Sequence, residues 1–252
     1  MHGYWKTVKA KSNLRKSLLK YKDMGEARKL IHQLIEEKSC LKQDVFALTK
    51  EKFGEMRDVL EETIGELKSA YAEKDDRIEF YYKKKGAYEA EVQIAGDILI
   101  FHMHTNVFQF DKSHSLWRTS YLKDNESNGF VGVINIYNFL ADSFRFNRGG
   151  DYGYLIARVF VNREGHFLVQ GKRQLGFLYN DFIGSELTRE KMVNIVESTL
   201  LYTLDFDMFA PPYQHMQEVT VGAIQALSDN LNVQTGKRLG FKFSNIEGPP
   251  EF

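Results

Sequence analysis

A chain of 252 residues with 43% hydrophobic and 13% aromatic side chains can bury a real core, which excludes general disorder. Its 34 lysines and arginines balance its 34 aspartates and glutamates, so no global field argues for a polyanionic partner. The single cysteine, Cys40, rules out an intramolecular disulfide and a cysteine-built zinc site. It reads as a helix-face residue, and its solitude suits a reducing compartment. Residues 1–6 run straight into lysines without an apolar h-region, and the longest apolar stretches, 98–101 and 159–161, are far too short to cross a bilayer. No membrane span and a cytoplasmic location are the expectation.

Residues 1–22 carry Lys6, Lys9, Lys11, Arg15, Lys16, Lys20 and Lys22 before the first acid, Asp23. With Val8, Leu14, Leu18 and Leu19 among them, they read as a basic helix. That helix either presents a solvated face or touches nucleic-acid or lipid phosphates. Ala27, Ile31, Leu34, Leu41, Val45 and Leu48 then fall on one helical stripe. A second stripe follows at Met56, Leu60, Ile64, Leu67 and Tyr71. Leu48 to Phe53 is a step of five, so the two are out of phase. The helix either breaks between Thr49 and Gly54 or continues through a stutter. Ser39 is a candidate cap for a helix starting near Leu41.

With no proline before Pro211, one helix can run from about Leu41 to Tyr81. Lys83, Lys84 and Lys85 would suit its C-terminal pole and Gly86 its C′ position. A stripe of that length cannot stay bare. It folds back within the chain as a helical hairpin or bundle, or pairs with another chain as a coiled coil. Self-association or a protein partner through residues 5–82 is therefore the expected role of this arm.

Beyond Gly86 the pattern becomes aromatic, β-branched and alternating. Glu91, Gln93 and Ala95 alternate with Val92 and Ile94, Gly96-Asp97 supplies a turn, and 98–110 is a long strand candidate. Val133, Ile136, Tyr137, Leu140 and Phe144 follow helical spacing, although 131–136 could instead be a strand ahead of a helix from Asn138. Strands at 154–162 and 166–172 flank the turn Arg163-Glu164-Gly165. Thr188 caps a helix through Met192, Val193, Val196, Leu200 and Leu204. A further helix at 216–231 and a short strand at 239–243 follow. The fold class is α+β: an N-terminal helical arm over 1–85, an antiparallel sheet packed with helices on one face over 86–244, and a tail over 245–252. The order of parts is similar to that of regulatory domains of the PAS, GAF and roadblock kind, a likeness of architecture alone, from which function does not follow.

Three groups of residues could carry chemistry. His102 and His104, two apart on a strand, point to one side and could share a metal ion. Gly96, five residues, His102-x-His104 and four residues to Gln109 resembles the first half of the metal-binding cupin motif, with Gln109 where cupins place a glutamate. That resemblance implies a metal-dependent enzyme, with His114 a further candidate ligand. Arg158 shares a strand face with Tyr154, Ile156 and Phe160 and so needs a partner or an anion. Asn138, Asp142 and Arg145 at i, i+4 and i+7 make Asp142 that candidate partner. Arg158, Asp142 and Tyr137 are thus the candidate ligand-binding residues. The leading reading is a non-enzymatic regulatory or scaffolding protein, ahead of a cupin-like enzyme and a nucleic-acid-binding module using the basic N-terminal helix. No particular cofactor is indicated.

Overall fold

The computed structural model describes residues 24–206 and 220–222. The basic segment 6–22, the expected helix at 216–231 apart from 220–222, the expected strand at 239–243 and the tail lie outside the described residues. The chain divides into two compact units between Asp44 and Val45. In the first, helix α1 (Met24–Leu34) runs into a π-helical stretch, Ile35–Cys40, with no break for a cap at Ser39. Ile31, Leu34 and Ile35 remain 56, 40 and 49% exposed there.

Helix α2 (Leu41–Tyr71) continues without interruption through the expected break at 49–54. From Val45 onward its inner side is Val45, Thr49, Phe53, Met56, Leu60 and Ile64, all buried. These are steps of three and four, so one stripe passes through Thr49 rather than Leu48. Thr49 is fully buried because its hydroxyl donates to the Val45 carbonyl oxygen at 2.7 Å, one turn back. A satisfied hydroxyl at a core position hides the continuity of the seam from any reading that counts only apolar residues.

What covers that seam is a sheet of the same chain. Strands β1 (Phe80–Lys85), β2 (Glu89–Ile94), β3 (Asp97–Met103), β5 (Phe130–Leu140), β6 (Tyr154–Asn162) and β7 (Phe167–Gly171) lie side by side in that order, all antiparallel. The short β4 (Phe108–Gln109) pairs with the far end of β5. Alternate residues (Ala90, Val92 and Ile94; Leu99, Phe101 and Met103; Ile134 and Ile136; Val159 and Val161; Phe167 and Val169) form one apolar face. Phe53, Met56, Leu60 and Ile64 of α2 pack on it together with Met192, Ile195, Val196 and Leu200 of α6 (Arg189–Leu204). Thr188 caps α6, its hydroxyl accepting from the Lys191 amide. Both long helices of this unit therefore lie on one side of the sheet.

Four expectations are corrected. Lys83, Lys84 and Lys85 do not end a helix; they lie on β1, the edge strand, where lysines discourage another chain from pairing. Gly86, with φ +68°, turns β1 into β2, so the expected boundary at 85/86 falls within a single hairpin. The helical spacing from Val133 to Leu140 belongs to a strand. Nearly every residue of β5 is buried, since both sides of this central strand are covered, and two-sided burial erases the alternation that marks a half-exposed strand. Only Ala141–Arg145 (α4) is helical there, one of three short helices with α3 (Ser120–Asp124) and α5 (Gln174–Leu178). The 98–110 strand also stops at Met103. No helix among the described residues is long and apolar enough to cross a membrane.

Gly132 of β5 lies directly beneath Thr49; a methyl group there would sit 2.1 Å from Thr49 Oγ1 and 2.7 Å from its Cβ. Gly132→Ala is expected to cost about 1–3 kcal/mol in urea unfolding, as overpacking does. Thr49→Gly in the same background should recover part of that loss, read as coupling in a double-mutant cycle.

Candidate functional site

The face of the sheet away from α2 and α6 has two apolar patches with a polar band between them. At one end Phe110, Leu116, Leu122 and Phe182 cover Val131, Val133, Phe160 and Leu168. At the other, Ile98, Ile100 and Ala141 gather with Tyr81, Tyr137 and Phe139. Between them strand register aligns Lys85, Glu89, His102, Asn135, Arg158 and Gln170 in one row across six strands. Directly opposed residues share a face, so His102 and Arg158 stand on the same surface with Asn135 between them. Arg158 donates to the Gln170 side-chain carbonyl and lies 5.3 Å from the Phe160 ring centroid.

The expected Arg158–Asp142 pair does not form, because Asn138 is on β5 rather than on a helix with Asp142, and Asp142 belongs to the opposite end of the strand. Tyr137 is half-buried packing in the patch around Ile98 and Ile100. The histidines are also dispersed. His104 Nδ1 accepts from the Asn106 amide at 3.0 Å, and its ring meets Phe108 edge-on. His114 Nδ1 accepts from the Leu116 amide at 3.3 Å, capping a 3₁₀ turn, and its ring lies 5.0 Å from that of Phe110. Among the described residues no three His, Cys, Asp or Glu side chains are grouped to hold a metal ion. Gln109 is exposed on β4. The strand order is a single meander, not the double-sheet jelly roll of cupins.

A cleft of about 400 Å³ opens where β2 turns into β3 and β5 runs out into α4. Arg77, Ile78 and Glu79 enter it from the segment before β1; Gln93, Ala95 and Gly96 from the β2–β3 turn; Ala141, Asp142, Arg145 and Phe146 from α4 and its exit. The turn is tight. Ala95 adopts φ +51°, its amide donates to the Glu79 carbonyl at 2.9 Å, and the Ala141 amide donates to the Gly96 carbonyl at 2.9 Å. Three distant segments are thereby fixed to one another by their main chains.

The charges are arranged around Glu79. Its Oε2 accepts from Arg145 Nη2 at 2.6 Å and from Gln93 Nε2 at 2.8 Å. Gln93 Nε2 also donates to the Ala95 carbonyl at 3.1 Å. Arg145 Nη1 lies 3.9 Å from Asp142 Oδ1, close enough for ionic attraction and too long for a hydrogen bond. Asp142 is only 3% exposed, and its Oδ2 is buried with no hydrogen-bond partner. A buried carboxylate oxygen without a donor carries a penalty of about 1–3 kcal/mol, and the fold retains it. At the rim Arg77 grips Asp75 through Nε and Nη2, at 2.8 and 2.6 Å. The next acid along the same face, Glu91, accepts from the Tyr81 hydroxyl at 2.5 Å and pairs with Lys85. Burial first, then that carboxylate, pushes the Tyr81 hydroxyl well above the usual phenol range.

Of the sequence candidates, the cleft contains Asp142 alone. Arg77, Glu79, Gln93 and Arg145 complete it, and none carries a local signal. Their segments are remote in sequence and meet only through the turn hydrogen bonds. No protein-family model, curated protein or solved structure matches this chain.

The Asp75–Arg77 pair at the rim gives a direct check. Hydrogen bonds from Arg77 lower the Asp75 carboxyl from 3.8 to about 2. The pair should persist on acidification below the usual aspartate range and be lost as pH falls through about 2. Carboxyl-detected NMR titration is expected to find that midpoint, and Arg77→Ala should return it to the ordinary aspartate value.

Proposed function

We propose that this chain is a non-enzymatic regulatory or scaffolding protein whose sheet unit binds a small polar ligand in the cleft beside α4. One observation carries the reading: a cleft of about 400 Å³, large enough for a small molecule, whose lining brings Arg77, Glu79, Gln93, Asp142 and Arg145 together. The rigid main-chain bracing around Ala95 and Ala141 supports the same reading, because a pre-formed site loses little entropy on binding.

The test is an NMR screen of the ¹⁵N-labelled full chain against small anions, cations, zwitterions and polyols. Binding is expected to shift amides of 93–96 and 141–146, and Asp142→Asn should abolish the strongest response. The substitution removes a buried charge that lacks a donor, so the variant should stay folded and gain up to about 1 kcal/mol in stability. A screen in which no compound moves those amides would leave the cleft without a role.

A second reading concerns the first unit. We propose that α1 and the π-helical stretch associate with a second copy of the chain or a protein partner, in a cytoplasmic setting that suits the exposed thiol of Cys40. What supports this is the exposed series Ile31, Leu34 and Ile35, three apolar residues one helical turn apart at most. Light scattering of the full chain should give more than a monomer mass, and Ile31→Lys with Ile35→Lys should reduce it to the monomer. A monomer before substitution, at tens of micromolar, removes self-association from consideration.

A further inference from the structure

We infer that the polar band across the open face of the sheet binds the phosphate group of a small aryl phosphate monoester, held by Arg158, Asn135 and His102. This site is separate from the cleft beside α4 and does not depend on it. Its basis is three side chains, in register on β6, β5 and β3, with hydrogen-bonding capacity that the fold leaves unused. Asn135 on the central strand is 9% exposed, yet its amide makes no hydrogen bond among the described residues, and neither of its polar atoms is sealed from the surface. A nearly buried amide that a ligand can still reach is an open valence in the floor of the band. His102, half-buried beside it, has no side-chain partner either. The carboxylate of Glu89, the residue opposite, lies 3.8 Å from Lys85 Nζ and forms no ion pair with the imidazole.

Arg158 supplies the charge. Arg77, Arg145, Arg148, Arg173 and Arg189 each hold an aspartate or a glutamate. Among the described residues Arg158 pairs with no carboxylate; its Nη2 donates to the Gln170 side-chain carbonyl. That bond steadies the guanidinium and leaves the N–H groups of Nε and Nη1 for an anion. Guanidinium, amide and imidazole on three neighbouring strands are donors that lack an acceptor. Strands stand about 4.8 Å apart, so these side chains start from points spread over about 10 Å. A carboxylate has two oxygens, which the fork of Arg158 would engage alone. A phosphate monoester has three peripheral oxygens, one for each side chain, and more negative charge for the unneutralised arginine. The next row along the same face places the rest of the ligand. Ile100, Tyr137 and Leu155 oppose one another there, and Leu155 is 39% exposed. On the other side of the band Val133 and Phe160 are already covered, Phe110 lying against Phe160. An aromatic ring attached to the phosphate therefore rests over Tyr137 and Leu155.

The experiment titrates phenyl phosphate, benzoate and inorganic phosphate into ¹⁵N-labelled full chain. Phenyl phosphate is expected to shift the amides of 100–104, 133–137 and 155–160 and to leave those of the cleft, 93–96 and 141–146, in place. Benzoate and inorganic phosphate should each bind about tenfold more weakly, and Arg158→Gln should weaken phenyl phosphate by about the same factor, the scale of one charge-assisted hydrogen bond. His102→Gln and Asn135→Leu should each weaken it about fivefold, as loss of a single hydrogen bond does. Asn135→Leu replaces an unpartnered amide with an apolar side chain of similar size, so its spectrum should remain that of the folded chain; if it does not, Arg158→Gln decides, since that side chain reaches the surface. Benzoate as tight as phenyl phosphate would overturn the phosphate assignment, and inorganic phosphate as tight would overturn the place given to the ring. Undiminished binding by Arg158→Gln, shifts confined to the cleft amides, or no shifts at all would overturn the site.

Discussion

The contact between α2 and the central strand β5 is the constraint on which the sheet unit depends. At Thr49 and Gly132 the helix approaches so closely that a single added methyl would overlap it. Close approach brings Phe53, Met56, Leu60 and Ile64 down onto β2, β3 and β5, and it leaves room beside α2 for α6 on the same face. Packing of this kind stabilises by roughly 25 cal/mol per Å² of apolar surface removed from water, so two long helices on one sheet make up most of the core. Charges at the periphery follow this geometry. Glu61 of α2 reaches Lys84 of β1 at 3.3 Å, and Glu62 pairs with Arg189 of α6. Being exposed, these pairs add little to stability.

The two long helices occupy one face of the sheet, and the cleft opens beside the other. That face holds a second, smaller core at one end. It alternates apolar patches with the row from Lys85 to Gln170, and its end is hollowed by the cleft. Burial costs polar groups heavily unless they are paired, and many here are: Asn138 Nδ2 donates to Asp97, Gln93 to Glu79, and Tyr81 to Glu91. Asp142 Oδ2 and Asn138 Oδ1 are left without a partner.

How far each element could be read depended on how local its signal was. The β6–β7 hairpin, Tyr154–Asn162 and Phe167–Gly171, announced itself through alternation and through Gly165, which adopts φ +79°. The cap at Thr188 and the apolar series of α6 were equally plain. By contrast β5 looked helical, since burial on both sides removes the period of two and chance spacing of Val133, Ile136, Tyr137 and Leu140 supplies a false one. The seam of α2 looked broken because one of its core positions is a threonine. His102 and Arg158, both expected on strands, lie there and share a face. Asp142 was singled out for an ion pair with Arg158 that the register of β5 forbids.

By itself the amino-acid order determined the class of the molecule: a long helical front, strands after it, antiparallel pairing through short turns, and helices on one side. Each of those follows from periodicity and turn chemistry acting over a dozen residues or fewer. Only the tertiary structure decided what the helical seam meets, which it does within its own chain from Val45 onward, and which polar residues converge. Convergence of Arg77, Glu79, Gln93, Asp142 and Arg145 depends on the meander that sets β1 beside β2 and β3 beside β5. Contacts between segments tens of residues apart leave no periodic trace, because their physics is set by where strands end in space rather than by neighbours along the chain.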